Sequence, residues 1–125
     1  MSNITKKTAL IISLSCLIIL LTISGCNSQR EYNNDILIPL KEHPAEIVIR
    51  EWSFLLGSGA EVYYRDENKD ILLGNLLGGD DGFCPFQEGL YEVMFDDNQL
   101  TIEWCRFPNS ERDSWETKTF ELPTN

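Results

Sequence analysis

Apolar positions fall into two regimes along this chain. Residues 9–23 form one dense apolar run, interrupted only by Ser13, Ser15 and Thr22 among its Leu, Ile, Ala and Cys. Downstream, apolar residues recur in short stretches at alternating spacing, separated by Gly, Pro, Asn and Asp, which is the pattern of strands and tight turns. Residues 36–40 (ILIPL) predict a short edge strand, because Pro39 cannot donate to a ladder. Residues 46–56 (EIVIREWSFLL) predict a longer strand with Val48, Trp52, Phe54 and Leu56 on one face and Arg50 breaking the row, ended by a turn at Gly57-Ser58-Gly59. Residues 60–65 and 71–76 flank the polar stretch 66–70 and predict a hairpin that sets Tyr64 against Ile71 and Val62 against Leu73. A second hairpin, 90–95 against 100–105, closes at Asp97-Asn98, a pair that tolerates positive φ. It aligns Tyr91 with Trp104, Val93 with Ile102 and Phe95 with Leu100, three apolar pairs on one face. Residues 115–122 supply a last strand, stopped by Pro123. Five to six short strands with turns between them predict a small antiparallel β-barrel or sandwich.

The apolar run at the start reads differently. Lys6 and Lys7 precede it without any acid, and Ser24 and Gly25 follow it, the layout of an export signal. At 15 residues it is shorter than the roughly 20 that a spanning helix needs. Ile23-Ser24-Gly25-Cys26 resembles the lipobox of bacterial lipoproteins: an apolar residue, two small ones, then cysteine. Cys16 fits this pattern poorly, since Ser13 stands where the apolar residue belongs. The resemblance implies a cleaved signal peptide at 1–25, a lipid on Cys26 as the new N-terminus and anchorage at the extracytoplasmic face of the cell membrane. Residues 26–35 then read as a lipidated polar tether and 36–125 as one β-rich domain.

Charge and cysteines sharpen this division. Every aromatic residue lies after position 25, which favours a packed core over a disordered stalk. The chain carries a net charge of −10, and since the first 25 residues contribute two lysines and no acid, the remainder carries −12. So acidic a surface disfavours nucleic acid and favours cationic partners. With Cys26 lipidated and Cys16 removed, Cys84 and Cys105 remain, and an even pair in an exported domain predicts a disulfide.

Few residues suggest chemistry. His43 is the only histidine, there is no C-x-x-C, and no metal or cofactor site is expected. Asp66, Asn68 and Asp70 spell the first half of a calcium loop, but Ile71 stands where its glycine belongs and Leu77 where its glutamate belongs. Glu92 and Glu103 fall opposite one another in the second hairpin, a like-charge pair suited to a cation or a basic side chain. No nucleophile or positioning group accompanies them, and the chain is not expected to be an enzyme. The irregular stretch 77–89, with Asp80, Asp81, Phe83 and Phe86, is the leading candidate for recognition, the other reading being a loop with its two aromatics tucked into the core. Taken together, these features predict a lipid-anchored protein-binding module with a basic partner, of the kind represented by immunity proteins and inhibitors of cationic toxins or cell-wall enzymes. The alternative is an accessory subunit of an envelope complex, docking through Phe83 and Phe86.

Overall fold

The computed structural model describes residues 3–27, 30–41, 44–80 and 82–123. The chain divides into two units, Met1–Arg30 and Glu31–Asn125. The first is one helix, α1 (Asn3–Asn27). Among the described residues no helix is long and apolar enough to cross a membrane.

The second unit is mainly β, with two antiparallel sheets and, among the described residues, no closed barrel. Its described strands number eight, more than the five to six read from sequence. The larger sheet contains β1 (Glu31–Tyr32), β2 (Ile36–Pro39), β3 (Glu46–Phe54), β4 (Gly57–Asp66) and β5 (Lys69–Asp80). Both β1 and β2 pair with the same edge of β3, and Pro39 sits opposite Glu46 at the end of that pairing. β1 falls inside the stretch read as tether, a two-residue strand too short to show a period. The smaller sheet runs β6 (Tyr91–Asp96), β7 (Gln99–Trp104) and β8 (Glu116–Glu121) in chain order, with a short 3-10 helix, Arg112–Ser114, before β8.

One core cluster draws on both sheets. Ile47, Ile49, Ala60, Val62, Tyr64 and Leu76 come from the larger sheet, and Leu100, Ile102, Trp104 and Phe120 from the smaller. The core face of β3 therefore carries Ile47 and Ile49, not Val48, Trp52, Phe54 and Leu56. Ile47, Val48 and Ile49 are all fully buried, so alternation offers no contrast at the start of this strand. Val48 is covered on the outer face by its neighbours Leu37 and Tyr63 in the ladder, while Leu56 is exposed. The β3–β4 turn is Leu55-Leu56, and Gly57-Ser58-Gly59 already belongs to β4. Gly59 is needed there because the Trp52 indole lies across it, where a Cβ would stand.

The hairpin of β6 and β7 has the expected register: Tyr91 faces Trp104, Val93 faces Ile102 and Phe95 faces Leu100. In the hairpin of β4 and β5, Tyr64 faces Ile71 as expected. An irregularity between Val62 and Tyr63 then slips the ladder, so that Val62 faces Gly74 instead of Leu73.

Candidate functional site

Glu51 organises the loop between β5 and β6. It continues the core face of β3 beyond Ile47 and Ile49 and is only 2% exposed. Its carboxylate accepts hydrogen bonds from the backbone N–H of Phe86 (3.0 Å) and Gln87 (2.8 Å) and from the Asn33 amide (3.2 Å). Burial raises its pKa, against the lowering effect of these three donors. Ser58 fastens the start of the loop, donating to the Phe83 carbonyl (2.6 Å) while accepting from Gly79 N–H (2.9 Å). Phe86 is 3% exposed and packs against Tyr91 and Trp104, with ring centroids 5.2 Å and 6.3 Å away. As a candidate recognition residue Phe86 is therefore corrected to a core residue, and Phe83 is half-buried against Gly79.

Cys84 and Cys105 do not form the expected disulfide. The Cys84 thiol points to the Gly82 carbonyl (3.5 Å) and lies beside Glu51, Asn33 and Ser53. The Cys105 thiol is buried and points to the Phe107 carbonyl (3.0 Å). Each thiol is turned toward a carbonyl two residues away in its own segment. Burial and the neighbouring Glu51 carboxylate push the Cys84 pKa up, which disfavours the reactive thiolate. The loop is held by Glu51, Ser58 and Phe86, contacts that cysteine spacing does not reveal.

Glu92 and Glu103 face each other as expected. Their partner comes from the same chain: Arg112 Nη2 contacts Glu92 (2.5 Å) and Glu103 (2.8 Å), with its guanidinium 4.1 Å from the Trp115 ring centroid. The pair is thus already occupied by a cation. Asp70, at the supposed calcium turn, is taken by Arg65 (2.7 Å), and Asp35 by Arg50 (2.9 Å). Among the described residues no group of three His, Cys, Asp or Glu side chains is placed to hold a metal ion. Asp81 and His43 lie outside the described residues, as do the side chains of Cys26 and Asp80.

Among the described residues, the candidates therefore do not gather into one site. A surface that sequence reasoning missed lies at the turn between β6 and β7. A groove of about 470 Å³ opens there between apolar Leu40, Val93, Phe95 and Leu122, flanked by Lys41, Asp97 and Asn98. A second, of about 450 Å³, is lined by Asp96, Asp97, Asn98, Gln99 and Glu121. Both volumes are of the size that admits a ligand or a partner's side chains. Asn98 fixes the junction by donating to the Leu122 carbonyl (2.7 Å). Asp96, Asp97 and Glu121 are exposed. The Asp96-Asp97 doublet was the available signal, absorbed in sequence reasoning by its part in the turn. Compared with family profiles, curated proteins and solved structures, the chain matches none.

Proposed function

We propose that this chain is a lipoprotein, anchored through Cys26 at the extracytoplasmic face of the cell membrane, whose β domain binds a basic protein. The observation that carries this reading is the end of the domain at the β6–β7 turn. There an apolar groove flanked by Lys41, Asp97 and Asn98 adjoins a second lined by the exposed Asp96, Asp97 and Glu121, as in an interface that steers by charge and holds by burial. The net charge of −12 beyond residue 25 adds long-range attraction for a cationic partner. Immunity proteins and inhibitors of cationic toxins or cell-wall enzymes are the class that such a module fits. We read the two sheets as a sandwich, supported by the core cluster they share. The accessory-subunit reading relied on Phe83 and Phe86 for docking; Phe86 is buried and Phe83 half-buried, which leaves it less support.

The test is capture of secreted basic proteins by the processed lipoprotein at low and high salt, followed by binding of the retained protein to the triple variant Asp96→Lys/Asp97→Lys/Glu121→Lys. A partner released by salt and bound at least about tenfold more weakly by the variant is expected. A partner that binds the variant equally well would move the site elsewhere.

A further inference from the structure

At the opposite end of β3 from this groove, the domain exposes a different surface. Leu55 and Leu56, at 82% and 73%, are the two most exposed large apolar side chains among the described residues. They form a two-residue hairpin turn, a place that usually takes Asn, Asp or Gly because positive φ matches the twist of the strands. The other two hairpins follow that rule, with positive φ at Glu67 and Asn68 in one and at Asp97 in the other. Neither Leu55 nor Leu56 adopts positive φ, so neither residue type nor backbone explains the two leucines as turn formers. Beside them Phe54 is partly exposed and stacks on Trp52 at 5.9 Å, and Leu77, in register with Gly59 on the same face, is 69% exposed.

Chain direction says what this surface meets. β1 pairs antiparallel with β3, Glu31 opposite Ser53 and Tyr32 opposite Trp52. The chain preceding Glu31 therefore leaves the sheet at the Ser53 end, the end that carries Leu55 and Leu56. Cys26 lies five residues before Glu31, and five extended residues span at most about 18 Å. A lipid on Cys26 would hold this end of the domain, not the acidic end, within that reach of the bilayer.

We propose that the Leu55-Leu56 turn, backed by Phe54 and Leu77, inserts into the headgroup–acyl boundary of the membrane that holds the Cys26 lipid. This rests on the lipoprotein reading. The bilayer is the favoured occupant because the tether is too short to leave room for a protein between this end and the lipid surface. Contact is apolar and suits zwitterionic lipid, since the chain after residue 25, with a net charge of −12, is repelled by an anionic surface. Tethering supplies a high effective concentration, so shallow insertion of two side chains is enough to fix orientation. The groove at the β6–β7 turn would then face away from the membrane.

The full processed protein, reconstituted in phosphatidylcholine vesicles with acyl chains brominated near the headgroup, tests this by tryptophan quenching. Mass spectrometry of the N-terminal peptide first reads acylation of Cys26. Absence of acyl chains would overturn the anchor and, with it, the insertion. With the lipid present, Leu55→Trp is expected to gain at least about twofold more quenching than Gln99→Trp at the far turn, and Leu56→Ser in the Leu55→Trp background to reduce it. Equal quenching at both positions, or membrane contact that requires anionic lipid and disappears with salt, would overturn insertion alone. Circular dichroism of each variant shows that the fold is retained.

Discussion

Glu51 holds a position that strand alternation assigns to an apolar side chain. It is tolerated because two backbone N–H groups and the Asn33 amide converge on its oxygens. Glu51→Ala removes the acceptor and leaves the buried Phe86 N–H and two part-buried donors without it. The expected loss is about 2–4 kcal/mol, read as a lower urea midpoint. pH adds an independent test. The folded-state pKa is raised from its ordinary value of 4.5, chiefly by desolvation. The folded chain therefore binds this proton more readily than the unfolded chain. The stability so contributed is fully present below 4.5 and is lost as pH rises through the folded value. Glu51→Gln should remove that decline from a stability–pH profile. Asp35 has the opposite sign: its hydrogen bond to Arg50 lowers its pKa below 3.8, so its contribution is lost as pH falls through the lowered value. Sequence reading could not find Glu51, since a carboxylate in an apolar run looks like a solvent-facing residue until its donors, 35 and 36 residues away, are in place.

At the scale of elements, legibility followed contrast. β7 alternates apolar and polar residues through its length and β6 does so except at Met94, and their register was readable because a one-residue slip would have exposed Val93, Ile102 and Leu100 together. β3 begins with Ile47, Val48 and Ile49, buried on both faces, and there the period carries no information about which side is core. The turn beyond it was misplaced for a related reason. Gly57 and Gly59 suggest freedom of backbone, whereas Gly59 serves close approach by Trp52. Gly59→Val should accordingly be destabilising despite valine's fitness for strands, by about 1–3 kcal/mol through displacement of the indole. A blue-shifted or broadened Trp52 signal in the variant would accompany the drop in thermal midpoint. A neutral outcome would mean that the indole finds another rotamer at no cost.

For the whole domain, each end joins residues far apart in sequence. One end combines the β3–β4 turn with Leu77, and the other combines Leu40, the β6–β7 turn and Leu122. Neither grouping can be read from any single run: the first depends on the pairing of β3, β4 and β5 within the larger sheet, and the second on how that sheet meets the smaller one. The candidate residues chosen from sequence were those conspicuous locally, and three of them are engaged within the chain: Glu92 and Glu103 by Arg112, and Phe86 by Trp104 and Tyr91.

The free thiols have one more consequence. Cys84 sits in the irregular loop, half-buried, and Cys105 directly follows β7 with its N–H bonded to the Leu90 carbonyl. They act as two built-in timers of native-state opening, one for the loop and one for the sheet. Alkylation under native conditions should mark Cys84 well before Cys105, since releasing the loop breaks fewer contacts than peeling β7 from its neighbours. Should the two react in step, the loop and the smaller sheet would open as a single cooperative unit.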